Sequence, residues 1–177
     1  MKKKLLLIPV ILILVIFVYV TSISYSLYKF HNAVYSNDEK LISETVDFES
    51  LRKYLKEDIN SVMLDELNKD NSTSQAMNLL ALGFASKIAD MVIDVYASPK
   101  GITTLLKESD YYQELPKPNL LKSYLIINRF NFNGANEIFY VLKKDGNSIP
   151  IHFKRYGMEW KLFKLKIDPK LLNKNKY

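Results

Sequence analysis

The feature that most constrains this chain is the stretch from Leu5 to Tyr28, which holds no charged side chain and directly follows Lys2, Lys3 and Lys4. From Leu5 to Val20 everything is apolar except the phenol of Tyr19, and as a helix this part covers about 24 Å at about 1.5 Å per residue. A hydrocarbon core of about 30 Å needs more. Adding Thr21, Ser22, Ile23, Ser24 and Tyr25 brings the length to about 31 Å, because hydroxyls bond back to their own helix and tyrosines favour the interface. Pro9 lies in the first turns, where a missing N–H matters least. A cleaved signal peptide is the competing reading, since Ser22 and Ser24 have the small-residue spacing a signal peptidase uses. The apolar run exceeds the roughly 7–15 residues usual for such peptides, so residues 1–27 are read as an uncleaved membrane anchor. Three lysines precede the span and only Lys29 follows it closely, which places the N-terminus in the cytoplasm. The expected location is the inner (plasma) membrane, single-pass, with the rest of the chain periplasmic or extracytoplasmic.

Once the anchor is set aside, about 150 residues remain, enough for one core. They read as a single α+β domain over residues 28–168, followed by a basic C-terminal tail over 169–177. The absence of cysteine excludes a disulfide framework, a thiolate zinc site and a cysteine nucleophile. The net charge of +6 conceals a polarity: Lys29 to Glu114 carries 9 basic and 15 acidic residues, and Leu115 to Tyr177 carries 13 basic and 4 acidic.

Hydrophobic spacing divides the domain the same way. Leu27, Phe30, Val34 and Leu41 recur at helical intervals, with a break at Ser36, Asn37 and Asp38. Asp47 reads as the N-cap of a helix whose stripe is Leu51, Leu55, Ile59, Val62 and Leu67. Ser72 and Gln75 have capping-box spacing and open the most apolar helix, through Ala76, Leu79, Leu80, Leu82, Phe84, Ile88, Val92 and Val95, which is expected at the centre of the domain. Ser98-Pro99 starts a short helix through Leu106. After Pro116 and Pro118 the period becomes two: Tyr124, Ile126, Phe130 and Phe132; Ile138, Tyr140 and Leu142; Ile149, Ile151 and Phe153; Phe163, Leu165 and Ile167. Asn133-Gly134, Asp145-Gly146 and Tyr156-Gly157 fall between these runs as hairpin turns. The pattern predicts a helical half packed on a four-stranded antiparallel meander.

Particular segments carry a family resemblance. The basic N-terminus and apolar span, Tyr28-x-x-x-x-Ala33, Asp38, Val46-Asp47-Phe48-x-x-Leu51-Arg52, Val95-Tyr96-Ala97-Ser98-Pro99-Lys100-Gly101-Ile102 and Trp160-Lys161-Leu162 resemble the bacterial domain-of-unknown-function family 2939, over about residues 25 to 168. The resemblance implies a small membrane-anchored or exported protein, with no activity and no catalytic residues to transfer. Where many relatives have an acidic residue after the proline, this chain has Lys100. The helix-then-meander order is also similar to the cone-shaped nuclear-transport-factor-like superfamily, which is a matter of architecture alone.

Candidate chemistry is sparse. Asp47, Arg52 and His31 would form an acid/base group if a cone pocket gathered them. The simpler reading makes Asp47 a cap, turns Arg52 elsewhere and leaves His31 on the membrane stalk. His152 has no carboxylate at a recognisable spacing and is expected to face solvent. Gly83, in the apolar helix, is read as a packing glycine. His152, Lys154, Lys164 and Lys166, joined by Lys143, should line one outer side of the sheet as a cationic strip; it reads first as a solvated face that attracts the acidic helical half, and otherwise as a surface for anionic lipid headgroups or a protein partner. No nucleic acid is expected, because the domain lies outside the cytoplasm. No catalytic, cofactor-binding or metal-binding residue is assigned. The expected function is a non-catalytic binding or interaction module held to the bilayer by its N-terminal helix. The alternative is a small-molecule-binding or catalytic protein with a cone-shaped pocket.

Overall fold

In the computed structural model of the chain, which describes residues 2–69, 75–108, 116–144 and 147–165, Lys2–Ser36 form one uninterrupted helix, α1. From Ile8 to Phe17 its large side chains are 53–67% exposed, a bare apolar rod. Beyond Tyr19 the same helix is inside the domain: Ser22, Ile23, Ser24, Ser26, Leu27 and Ala33 are all buried. The stretch expected to complete a membrane span, from Thr21 onward, thus packs against protein, and the division expected after residue 27 falls within a continuous helix.

α1 stops where local chemistry stops it. Asn37 adopts a positive φ of 53°, its N–H bonds to the Val34 carbonyl at 3.2 Å, and the Asp38 N–H bonds to Ala33 at 3.2 Å. Asp38 then caps α2 (Glu39–Thr45), its Oδ1 accepting from the amides of Lys40 and Leu41 at 2.9 and 3.1 Å. Next come α3 (Phe48–Lys69), α4 (Gln75–Tyr96) and α5 (Pro99–Glu108). The capping role expected for Ser72 lies outside the described residues, as does Ile167.

The sheet is an antiparallel meander of order β1-β2-β3-β4: Asn131–Phe132, Glu137–Lys144, Asn147–Tyr156 and Glu159–Leu165. The expected α+β class is therefore found, with one correction at the sheet's start. The run through Tyr124, Ile126, Phe130 and Phe132 is mostly helical: α6 (Leu120–Leu125), then a 3-10 turn at Ile127–Arg129, leaving only two residues of strand. Asn119 caps α6 by accepting from the Lys122 amide at 3.1 Å. The apparent alternation had skipped Asn128, so it never held a continuous period of two. Gly134 and Gly157 supply the positive φ of two turns, 76° and 63°. The Asp145-Gly146 turn lies outside the described residues.

The helices that close the sheet are α1 and α3, not α4; from α3, Leu51 joins the core and Tyr54 meets Phe163 edge-on at 5.6 Å. Phe30 meets Phe153 edge-on with ring centroids 5.4 Å apart, and Tyr19 meets Trp160 at 5.7 Å. Ile138, Phe153, Trp160 and Leu162 form one buried cluster with Ile23, Leu27, Ala33, Ile42 and Leu51. Each such side chain stabilises the fold by about 1.5–3 kcal/mol. The open edge of β4 is covered where Val46 bridges Leu162 in parallel and the Asp47 N–H bonds to the Leu162 carbonyl at 2.8 Å.

The expected central helix lies at the outside. Leu80, Phe84, Ile88, Val92 and Val95 of α4 are 49–70% exposed, and among its described side chains Ile93, which stood outside the expected stripe, is the buried one. α4 meets α3 through polar pairs instead: Ser86 Oγ donates to Asn60 at 2.9 Å, and Lys56 reaches Asp90 and Asp94 at 3.7 and 3.1 Å. Apolar count had been read as burial, which the exposure of these five side chains contradicts. With the sheet's apolar face filled by its own side chains and those of α1, the nuclear-transport-factor-like cone is not confirmed.

Candidate functional site

The densest polar cluster lies at the start of α3, in the segment Val46 to Arg52. Asp47 accepts at Oδ1 from the Ser50 amide at 3.1 Å and at Oδ2 from the Ser50 hydroxyl at 2.7 Å. Tyr156, from the end of β3, donates its phenol to the same Oδ2. Burial alone would raise the Asp47 carboxyl. The hydrogen bonds from Tyr156 and Ser50, with help from Lys161, outweigh it and hold the pKa below the usual aspartate value. Burial and the facing Asp47 carboxylate push the Tyr156 phenol up to about 12. At neutral pH the pair is thus a carboxylate hydrogen-bonded by a neutral phenol, and the lowered carboxyl pKa makes Asp47 a weaker base than a free aspartate. The cluster ties the β3–β4 turn to the first turn of α3.

Arg52, five residues along, turns to α4 and donates from Nη1 to the Ala97 carbonyl at 3.2 Å. That carbonyl opens a tight corner. The Ser98 hydroxyl donates to Val95 at 2.6 Å and accepts from the Gly101 amide at 3.0 Å. Pro99 takes the first position of α5. A Cβ on Gly101 would stand 2.3 Å from the Val95 oxygen and 2.6 Å from the Tyr96 Cα, both backbone atoms with no room to yield. Gly101→Ala is expected to cost about 1–3 kcal/mol or more through overpacking, seen as a lower urea midpoint with an unchanged m-value. An unaffected midpoint would show that the corner opens freely. An open groove of about 410 Å³ beside it is lined by Asp94, Val95, Tyr96, Ser98, Lys100, Gly101 and Thr104. Nothing there converges on a common point as a catalytic group would.

Residues 12–105 match the model of a family described as Protein of unknown function (DUF2939). That is more than half of the chain. The chain belongs to this family. No curated protein and no solved structure matches it. The DUF2939 match differs in extent from the expected 25 to 168. It begins inside the apolar rod and ends in α5, so it spans most of α1 through most of α5 and leaves α6 and the sheet, with Trp160-Lys161-Leu162, outside. The Val46-Asp47-Phe48-x-x-Leu51-Arg52 and Ser98-Pro99-x-Gly101-Ile102 segments both lie in the matched part, and Arg52 of the first reaches Ala97, the residue just before the second. Capping explains Asp47 and Ser98, and the tight corner explains Gly101.

The other candidates in this DUF2939 chain are scattered. His31 sits in the second half of α1, where burial lowers its pKa and a hydrogen bond to the Pro116 backbone acts the other way. It shares no partner with Asp47 or Arg52, so the three do not form the acid/base group considered above. Since the folded pKa lies below that of an unfolded histidine, the unfolded chain takes up the proton first as pH falls through about 6.5. Stability should therefore drop between about pH 7.5 and 5.5, the range of histidine titration, and His31→Gln should flatten that part of the profile. Identical profiles for the parent and the variant would disprove it.

His152 does not face solvent freely. Its Nδ1 lies 2.8 Å from Glu137 Oε1, and its ring stacks on Phe139 at 5.1 Å and meets Phe163 edge-on at 6.2 Å. The carboxylate was missed because it stands diagonally across the β2–β3 pair, where Phe139 is the residue opposite His152. A register shift between His152 and Phe153 also breaks the strip's regularity. Lys164 lies over the Tyr54 ring at 4.6 Å, while Lys154 is exposed. The Lys143 side chain and Lys166 lie outside what is described. Gly83 has open space around it, so packing does not explain it. Among the described residues no group of three potential ligands could hold a metal ion. Lys29, raised chiefly by its bond to Glu44, joins α1 to α2 and β4 through Glu44 at 2.9 Å and Glu159 at 3.6 Å.

Proposed function

We propose that this protein is a single-pass membrane anchor made in one piece with a domain that acts by contact rather than by catalysis. The observation that carries the reading is the double use of α1. Its first half is a bare apolar rod, and its second half supplies the core with Ile23, Leu27 and Ala33. A signal peptidase cutting at the Ser22/Ser24 site would remove core residues, so retention of the segment is the consistent outcome. The three lysines ahead of the rod favour an N-terminus in the cytoplasm and a domain on the outer face of the plasma membrane. The ionisable groups that stand out are engaged in structure: Asp47 as a saturated cap, Arg52 on Ala97 and Lys29 between two glutamates. These engagements support binding over chemistry, with the bilayer as first partner and anionic headgroups or a protein as candidates for a second. In spheroplasts, added protease should degrade the domain, and in the absence of protease the protein should stay with membranes through an alkaline wash. Release of an intact domain into the soluble fraction would defeat the anchor.

A further inference from the structure

We infer that the end of the sheet formed by the 133–136 loop and the 157–158 turn is seated in the phospholipid headgroup layer, so that the domain itself, and not only its anchor, is a lipid-contacting surface. This rests on the anchor reading above. The rod and the domain share a helix with no hinge, and the place where one becomes the other is fixed by contacts. Tyr19 donates its hydroxyl to the Ala135 carbonyl at 3.1 Å, and the Arg155 guanidinium lies 5.5 Å above the same ring. Arg155 in turn holds both loops: its amide donates to Asn136 at 2.9 Å and its Nε to Gly157 at 2.7 Å. These loops therefore stand at the level of Tyr19.

Length then decides where that level falls. Leu5 to Val18 covers about 21 Å as a helix, about 9 Å less than a hydrocarbon core of about 30 Å. If Leu5 sits at the cytoplasmic boundary, the opposite boundary passes above Tyr19. If the lysines snorkel and draw the rod inward, the boundary lies at Tyr19. The first position would sink the loops about 9 Å into hydrocarbon, where their irregular backbone could not be hydrated, so the second holds and seats them in the interface. The side chains suit it: Phe132 and Met158 are 51% and 56% exposed, Tyr25 is exposed, and the Arg155 guanidinium beside Tyr19 places a cation at the same level, the kind of group that pairs with phosphate oxygens. Lys40, beyond the far end of α1, is the natural reference point. Tyr19 to Ser36 alone covers about 26 Å along the helix.

The chain has no cysteine and a single tryptophan, which makes the test clean. Single-cysteine variants Leu12→Cys, Ala135→Cys, Met158→Cys and Lys40→Cys of the full chain carry an environment-sensitive fluorophore. They are reconstituted in phosphatidylcholine/phosphatidylglycerol vesicles with lipids bearing a quencher just below the headgroup. The buried emission of Trp160, recorded before labelling, certifies the fold of each. Labels at positions 12, 135 and 158 should be quenched several-fold more than the label at 40. Quenching at 12, with 135 and 158 as unaffected as 40, would overturn the seating and leave the anchor intact. An unquenched label at 12 would overturn the anchor and the seating with it.

Discussion

A chain that begins at Tyr19 should fold as a soluble domain, and a chain that begins at Tyr25 should not. The first loses only the bare rod, whose large side chains make no buried contact from Ile8 to Phe17. The second also loses Ser22, Ile23 and Ser24, at 7%, 0% and 0% exposure. Deleting a fully buried isoleucine side chain costs about 2–5 kcal/mol. The Trp160 Nε1, which donates to Ser22 Oγ at 3.1 Å, is left without its acceptor at a further cost of about 1–3 kcal/mol. The sum approaches the whole net stability of a small domain, about 5–15 kcal/mol. Circular dichroism and urea titration in the absence of detergent should give one cooperative transition for the longer chain and none for the shorter. Cooperative unfolding of the chain that begins at Tyr25 would mean that α1 is an accessory to the core.

Trp160→Ala should be the most damaging single substitution in the sheet. Trp160 is 1% exposed, meets Tyr19 edge-on and holds α1 at two points, its amide on Ser26 at 2.9 Å and its indole on Ser22. Truncation should cost about 3–5 kcal/mol from lost burial and the cavity left behind. Trp160→Phe keeps most of the apolar volume and gives up the indole bond, so it should cost less. Circular dichroism is the suitable readout, because the substitution removes the only tryptophan. A loss below about 1 kcal/mol for the alanine variant, well short of that range, would show that α1 and the sheet are held together elsewhere.

What the sequence made legible was what three or four neighbouring residues decide. The Asp47 cap and the Ser98-Pro99 start were readable because a cap and its amides lie within one turn, and Asp38, read only as part of a break, proved to be a cap as well. Strands β2 to β4 were readable because alternation is local. The contacts that define the candidate site are not local: Tyr156 reaches Asp47 across 109 residues and Trp160 reaches Ser22 across 138. No periodicity carries such information. The serines at 22 and 24 were read as hydroxyls suited to a membrane end or a cleavage site, yet Ser22, together with Ser26, is a hydrogen-bond partner of Trp160. α4 misled for a related reason, since its polar pairs with α3 join residues distant in sequence.

The pairing of Ser22 with Trp160 also sets a timetable for the growing chain. Some 138 residues must be added after Ser22 before its partner exists, about 7 to 28 seconds at common synthesis rates of about 5–20 residues per second. For an anchored protein, the first half of α1 is committed to the bilayer throughout that interval. Its second half, with Ile23 and Leu27, waits without the strand that will cover it. Contacts of such high sequence separation form slowly, so the domain closes only after its beginning has already been fixed in place.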